Sequence, residues 1–135
     1  MLDKNTFPDP EIDNAARYTR KLGLGVCGFA DLLTLMQIPY GSQQAVDIAD
    51  SIMRLIDSAA AEESLELGET RGPAPCFIVG AQKGVYAGDM FRNATRTCIA
   101  PTGTIAILMN ASSGIEPYFS LANTRTMGDG TTLVE

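Results

Sequence analysis

The most regular pattern of apolar residues lies between residues 42 and 67, where they recur at intervals of three and four. This spacing places them on one face of a helix and leaves a strongly acidic face opposite. The apolar positions are Ala45, Ile48, Ala49, Ile52, Leu55, Ile56 and Ala59. The pattern predicts one long amphipathic helix that packs on the rest of the protein by its apolar face.

Shorter helices are predicted on both sides of the long one. The sequence DPE at residues 9–11 is typical of a helix start, because Asp can cap, Pro suits the first turn and Glu complements the positive helix end. We expect that helix to end near Gly23. A second short helix is predicted over 29–36, and a third over 105–109.

The strand signals are short and few. Segments 22–27, 76–79 and 95–100 carry the apolar or β-branched residues that favour extended structure, and 68–92 reads mainly as a loop rich in Gly and Pro. The predicted fold class is therefore α/β but predominantly helical, with two or three short strands. The length of 135 residues favours a single domain over 1–135.

Composition and charge narrow the possible partners. The chain carries a formal net charge of −6, so sequence-independent binding of nucleic acid, which needs clustered Lys and Arg, is disfavoured. The start MLDKNTFPDP lacks a basic region followed by an apolar stretch, and no apolar run reaches the roughly 18 residues of a membrane span. We therefore expect a cytoplasmic protein without membrane contacts.

The residue types used in metal binding and proton transfer are sparse. Cys27, Cys76 and Cys98 are odd in number and far apart, which argues against a disulfide framework or a zinc site, and we expect three buried thiols. The chain contains no histidine. Any acid–base chemistry would have to rest on carboxylates, Lys, Tyr or Cys, and no metal site is predicted.

Three glycines match the bare dinucleotide-binding expression. Gly23, Gly25 and Gly28 have the G-x-G-x-x-G spacing, but the acidic residue expected at the end of a second strand is missing, since the region about twenty residues further on is helical in pattern. We favour glycines that permit close backbone packing over a cofactor loop.

The stretch CIAPTGTIAILM at residues 98–109 joins a strand-like half to a helix-like half. The first amides of a helix lack partners and its N-terminal end is partly positive, so this junction can attract an anion. Pro101 sets the chain direction, Gly103 allows close approach, and the hydroxyls of Thr102 and Thr104 can bind phosphate oxygens. The alternative, favoured on this segment alone, is that a Thr hydroxyl caps the helix without any ligand.

Two blocks resemble a known family. The block RNATRTCIAPTGTIAILMNASSGIEPYFSLANTR at residues 92–125 resembles the C-terminal barrel region of ribonucleotide reductase large chains, most closely the adenosylcobalamin-dependent class II enzymes, and so does RKLGLGVCGFADLL at residues 20–33. The resemblance extends over about 7–135. It implies a fragment of a ten-stranded α/β barrel, and it implies that Pro101, Thr102, Gly103, Thr104 and Ile105 bind the phosphates of a ribonucleotide substrate.

Other parts of the family pattern are absent from this sequence. The resemblance places the radical cysteine and its glutamate in an Asn-Pro-Cys-Gly-Glu-like loop, and the reducing cysteine pair elsewhere; none of these occurs here. We therefore assign no catalytic residue. Ala106 stands where the family commonly has Ser, which removes one possible hydroxyl contact, and Glu116 is expected to have a structural role in a turn.

Two functions remain open. The chain is either the substrate-phosphate segment of a split or truncated reductase, inactive alone, or a non-catalytic oligomeric structural or regulatory module derived from that barrel. The complete enzyme would use adenosylcobalamin, whereas no cofactor is expected for this chain alone. Few strands and an uncovered apolar helix face predict association with complementary reductase fragments or with itself as a homo-oligomer.

Overall fold

A computed structural model describes residues 2–120, 122 and 124–134. The described chain forms a 3₁₀ turn and the following helices and strands: Leu2–Lys4 (3₁₀), α1 Pro10–Thr19, α2 Phe29–Leu35, α3 Gln43–Arg71, α4 Pro75–Gln82, α5 Gly103–Met109, β1 Thr124–Thr126 and β2 Thr132–Val134. Contacts group the chain into two compact units: Met1–Gly25 with Gly41–Ala100, and Val26–Tyr40 with Pro101–Glu135. The single-domain expectation stays a prediction.

Helix α1 begins as its sequence predicts and ends earlier than expected. The Asp9 carboxylate accepts a hydrogen bond of 2.7 Å from the Glu11 amide, with Pro10 in the first turn. The helix ends at Thr19, because Arg20 takes a left-handed conformation and its amide closes the last turn on the Ala16 carbonyl. Gly23 is therefore not the residue that ends this helix.

Helix α3 is the predicted long helix and is four residues longer than its pattern indicated. Ser42 caps its start by accepting from the Ala45 amide at 3.2 Å. It continues to Arg71, and Gly68 within it lets another segment cross closely, because a Cβ at this position would lie 2.2 Å from the Met90 carbonyl oxygen. The predicted packing face is only partly correct, since Leu55 is 73% exposed.

The predicted strand at 76–79 is wrong, because these residues lie inside helix α4. Pro75 in the first turn supplies a backbone angle that suits a helix start. The ring of Phe77 then packs against Tyr86 and Phe91, with centroid distances of 4.9 and 6.2 Å. A short apolar run cannot be assigned to helix or strand by its pattern alone, and here the proline and the aromatic packing favour the helix.

Segments 22–27 and 95–100 pair in parallel, as neighbouring barrel strands would, but over a short length. The pairing is a single bridge between Leu24 and Thr97. The Leu24 amide donates to the Arg96 carbonyl at 2.9 Å, and the Cys98 amide donates to the Leu24 carbonyl at 3.0 Å. The two extended segments are thus real, although they do not form full strands.

An antiparallel hairpin of β1 and β2 was not predicted. Its register pairs Thr124 with Val134 and Thr126 with Thr132. The turn places Gly130 at a φ of 85°, a left-handed conformation that glycine adopts without a steric penalty. The flanking threonines are typical strand residues, which makes the hairpin consistent with its local sequence.

A buried polar cluster joins α3 to the C-terminal end of α1 in the first unit. The Ser64 hydroxyl donates to the Asn93 side-chain oxygen at 3.0 Å and accepts from the Asn93 amide at 3.1 Å. The Asn93 side-chain nitrogen donates to the Arg20 carbonyl at 2.8 Å. Each of these buried groups therefore has a partner, as a buried polar group requires.

The apolar core of the second unit is small, and its larger side chains come from α2 and the segment after it. The buried residues are Phe29, Ala30, Leu33, Ile38 and Ala106. Outside this core the three thiols differ in exposure: Cys27 and Cys76 are partly buried, whereas Cys98 is exposed. The expectation of three buried thiols is therefore wrong, since none of them is fully buried and Cys98 is exposed.

Among the described residues, no helix combines the length and the apolar character that crossing a bilayer would need.

We predict that Gly25→Ala destabilises the first unit. A Cβ at position 25 would lie 2.3 Å from the Cys98 carbonyl oxygen, so the paired backbones would have to separate. We expect the free energy of unfolding, measured by urea denaturation, to fall by about 1–3 kcal/mol. Gly41→Ala is the control, because nothing lies within 4 Å of its added methyl group. Equal stability of the two variants would contradict the close pairing.

Candidate functional site

The start of helix α5 has an unusual backbone conformation. Thr102 occupies the cap position with φ 51° and ψ 19°, in the left-handed region that β-branched residues rarely adopt. Its side chain makes no capping hydrogen bond to the helix. The alternative in which the Thr102 hydroxyl caps the helix without a ligand is therefore not what this side chain does.

The Thr102 hydroxyl is used in another way. It accepts a hydrogen bond of 2.7 Å from the amide of Gly114, which lies in the loop that follows α5. The Thr102 carbonyl accepts from the Ala106 amide at 2.8 Å and so closes the first helical turn. The hydroxyl thus ties the turn to the loop and does not cap the first amides of the helix.

The first three amides of α5 keep their hydrogen-bonding capacity. Within the described part of the chain, the amides of Gly103, Thr104 and Ile105 donate to no protein group. Gly103 has open space where a side chain would be, since nothing lies within 4 Å of a built Cβ. Three unpaired amides beside open space can bind an anion by donating hydrogen bonds to it.

A cavity of about 680 Å³ lies beside α5 in the second unit. One face of the helix forms a wall, and Asp31 of α2, the loop at 111–120 and strand β1 form the rest of the described lining. The helix contributes Gly103, Ala106, Ile107 and Asn110. Of the five predicted site residues, Gly103 is the one that lines this cavity.

The charges around the cavity limit where an anion can bind. Asp31 and Glu116 line it, and no Lys or Arg side chain does so among its described lining residues. Two carboxylates repel a phosphate at short range. An anion is therefore expected to bind at the amides of residues 103–105 and the Thr104 hydroxyl, and not in the middle of the cavity.

The loop at 111–120 is held against α2 by a reciprocal pair of caps. The Ser112 hydroxyl accepts from the amides of Ala30 and Asp31 at 3.2 and 3.4 Å. In return, the Ser112 amide donates to Asp31 Oδ2 at 2.6 Å. This arrangement resembles a capping box, except that the two partners are about eighty residues apart in the sequence.

Tyr118 is the second partner of the Asp31 carboxylate. Its hydroxyl donates to Asp31 Oδ1. This hydrogen bond, followed by the one from the Ser112 amide, holds the pKa of Asp31 below its ordinary value, against the opposing effect of burial. The same contact raises the pKa of the Tyr118 hydroxyl. Both shifts favour an ionised Asp31 beside a protonated Tyr118.

Ala106 and Glu116, which the sequence also pointed to, lie in α5 and in the loop that follows it. The methyl side chain of Ala106 is buried in the small core of the second unit. The Glu116 amide closes a turn by donating to the Ser113 carbonyl at 2.9 Å, which agrees with a structural role. The phosphate-binding role of residues 101–105 itself stays a prediction.

The glycines of the dinucleotide-like expression serve close packing. A Cβ at Gly23 would lie 3.0 Å from the Cys98 Cβ, and one at Gly25 would collide with the Cys98 carbonyl. Gly28 has a φ of 83° and occupies the cap position of α2. Each glycine is thus explained without a cofactor.

The sequence did not single out Asp31, Ser112, Gly114 or Tyr118. One local signal was available, since Asp31 lies three residues after the cap position of α2, where an acidic residue often completes a capping box. The partner of that carboxylate lies in a distant loop. No spacing rule along the chain connects two such segments.

The chain belongs to the family described as the ribonucleotide reductase barrel domain, whose model matches residues 1–91 and 81–135. The parallel pairing of Leu24 with Thr97 and the turn into α5 are consistent with membership of this family. It confirms the resemblance read from residues 20–33 and 92–125.

The similar curated proteins include enzymes named for vitamin B12. A vitamin B12-dependent ribonucleoside-diphosphate reductase of Thermoplasma acidophilum is 42% identical over 135 residues, which is 100% of this chain and 17% of that protein. One of Mycobacterium tuberculosis is 44% identical over 94% of this chain and 18% of its own length. A ribonucleoside-diphosphate reductase large subunit of Caenorhabditis elegans is 30% identical over 96% of this chain and 19% of that protein. The chain thus spans less than a fifth of these relatives.

We predict a pH dependence of stability that originates at Asp31. Because its pKa is lowered in the folded protein, the ionised carboxylate stabilises the fold above its ordinary pKa of 3.8, and this contribution is lost as the pH falls through the lowered value. Asp31→Asn should therefore cost stability near neutral pH, and the cost should shrink in acid.

Urea denaturation at a series of pH values measures this difference. Asp50→Asn is the control, because it removes the same charge from an exposed carboxylate. Among the described residues that carboxylate pairs with Arg54, four residues away on α3. A stability difference between wild type and Asp31→Asn that stays constant from neutral to acid pH would contradict the prediction.

Proposed function

We propose that this chain is the substrate-phosphate-binding segment of an adenosylcobalamin-dependent ribonucleotide reductase. The observation that carries the proposal is the turn into α5, where the Thr102 hydroxyl is engaged by Gly114 and three amides have no partner among the residues that the structure describes. Membership of the reductase barrel family supports it. In this proposal the segment forms part of a ten-stranded α/β barrel.

The proposed ligand is the phosphate group of a ribonucleoside diphosphate. The amides of Gly103, Thr104 and Ile105 would donate to phosphate oxygens, the Thr104 hydroxyl would add one hydrogen bond, and Pro101 would hold the direction of the chain. The relatives from Thermoplasma and Mycobacterium are named as ribonucleoside-diphosphate reductases, and these names support the choice of a diphosphate as the substrate. No residue of this site has to change its protonation state.

We propose that the radical chemistry is performed by other parts of the enzyme. The sequence contains no Asn-Pro-Cys-Gly-Glu-like loop, and its three cysteines are far apart in the sequence. The reduction of a ribonucleotide to a deoxyribonucleotide needs a radical cysteine and a pair of thiols that supplies two electrons. We therefore expect the chain to bind substrate and not to reduce it alone.

The cofactor of the complete enzyme is proposed to be adenosylcobalamin, on the strength of the two relatives named as vitamin B12-dependent. This cofactor supplies the radical when it is bound. The present chain has no histidine and so cannot supply an imidazole ligand to cobalt. We assign no cobalamin contact to it.

The proposed partners are the remaining parts of the reductase or further copies of this chain. Large apolar side chains of the second unit are strongly exposed: Leu35 at 84%, Leu108 at 81%, Phe119 at 79% and Met109 at 69%. Exposed apolar surface of this kind favours association.

We predict that Thr104→Glu weakens phosphate binding by about tenfold or more, because a carboxylate next to the amides repels the anion. The same substitution is favourable for the helix, since an acidic residue complements its N-terminal end. Thr104→Gln is the matched control, because it has nearly the same size without the charge. The measurement is a titration of the ¹⁵N-labelled chain with inorganic phosphate and with CDP, followed by the amide shifts of residues 103–105.

The wild-type titration decides the proposal itself. If the chemical shifts of the amides of residues 103–105 do not change with millimolar phosphate or CDP, the proposal of a phosphate site there is wrong. Equal affinities of the Glu and Gln variants would show that the anion does not bind next to Thr104.

We predict that the purified chain associates at micromolar concentration. Sedimentation velocity should show species larger than a monomer, and Leu108→Lys should shift the distribution towards the monomer. Val85→Lys is the control, since Val85 is 79% exposed but lies in the first unit after α4. A strictly monomeric wild-type chain would count against the proposed association.

A further inference from the structure

We propose that Asp31 is a positioning residue of the phosphate segment. With Ser112, it holds the loop at 112–114 so that the Gly114 amide keeps Thr102 in its left-handed conformation. The inference rests on the proposed function, because it concerns how the amides of α5 are presented to a phosphate. Asp31 itself would not touch the phosphate and acts through the loop.

The turn at Thr102 depends on a contact from the loop after α5. A β-branched residue with a φ of 51° is strained, and such a conformation persists only where its surroundings hold it. The hydrogen bond from the Gly114 amide to the Thr102 hydroxyl is the side-chain contact that holds it. Loss of this contact would allow Thr102 to relax and would turn the first amides of α5 in a new direction.

Gly114 must itself be fixed in order to act as an anchor for Thr102. Gly114 is buried, and its carbonyl accepts from the Phe29 amide at the start of α2. Two residues earlier, the Ser112 carbonyl accepts from the Gly28 amide at 2.8 Å. The loop is therefore docked on the N-terminal end of α2 through its backbone.

The Asp31 carboxylate completes this docking. One oxygen of Asp31 accepts from the Ser112 amide at 2.6 Å, and the other accepts from the Tyr118 hydroxyl. A single side chain thus holds the loop on both sides of Gly114. Hydrogen bonds to an ionised acceptor are stronger than neutral ones, which suits this position.

A simpler role for Asp31 is available and makes a different prediction. An acidic residue in the first turn of α2 stabilises that helix through its dipole wherever the loop lies. In that case its removal would weaken the second unit evenly and would not act selectively on Gly114 or on phosphate binding.

The test uses the ¹⁵N-labelled 135-residue chain with Asp31→Ala, Ser112→Ala and Ser112→Thr. Ser112→Thr keeps the hydroxyl and should restore what Ser112→Ala loses. The controls are Asp50→Ala and Ser51→Ala, which remove an exposed carboxylate and an exposed hydroxyl from α3. Two quantities are measured: hydrogen exchange of the Gly114 amide relative to the amides of α2, and the affinity for inorganic phosphate from the amide shifts of Thr104 and Ile105.

We expect Asp31→Ala and Ser112→Ala to speed exchange of the Gly114 amide more than that of the α2 amides. We also expect them to weaken phosphate binding by about threefold to tenfold. Ser112→Thr and both controls should behave as wild type. If Asp31→Ala does not fold, the Ser112 pair gives the same comparison.

The remaining outcomes overturn the inference in distinguishable ways. Gly114 exchange that rises only as much as that of α2 would show the simpler helix-dipole role. Faster Gly114 exchange with wild-type phosphate affinity would remove the positioning role and leave the proposed function standing. A wild-type chain that binds no phosphate at residues 103–105 would remove the proposed function and this inference with it.

Discussion

The hydrogen bond between the Gly114 amide and the Thr102 hydroxyl is the contact on which the candidate site depends. Thr102 has the side chain that could cap α5, and its engagement by the loop leaves the first helical amides without a partner in the described part of the chain. An unpaired donor costs little in contact with water and offers a hydrogen bond to an anion without prior rearrangement. The turn is thus shaped before any ligand arrives, and preorganised donors lose less on binding than donors that must first be released.

Backbone donors suit a chain with this charge. The protein has a formal net charge of −6, and the cavity beside α5 carries two carboxylates among its described lining residues. A cluster of Lys or Arg would bind phosphate more tightly, but it would also attract any anion. Amides in a fixed turn recognise the geometry of phosphate oxygens through several short hydrogen bonds. The expected affinity of the isolated segment is accordingly modest, and tight binding of a whole nucleotide would need contacts from elsewhere in the enzyme.

The sequence predicted the elements that depend on local chemistry and missed those that depend on distant partners. The cap at Asp9 and the long helix after Ser42 follow from nearby residues, and the structure confirms both. Helix α4 was mistaken for a strand because a short apolar run has no decisive period. At the site, residues 101–105 were selected by motif, whereas Asp31 acts on a loop about eighty residues away that no local pattern connects to it.

The reciprocal caps between α2 and the loop also explain why a resemblance to a family can extend over segments that are far apart. The blocks at 20–33 and 92–125 contain the two halves of one hydrogen-bonded arrangement: Asp31 and Gly28 in the first, Ser112 and Gly114 in the second. Neither half satisfies its own backbone groups, because the first amides of α2 need the Ser112 hydroxyl and the Ser112 amide needs the Asp31 carboxylate. A change in one block would leave a group without its partner in the other. The physical requirement for paired polar groups therefore links the two blocks, and it links both to the turn that presents the amides of α5.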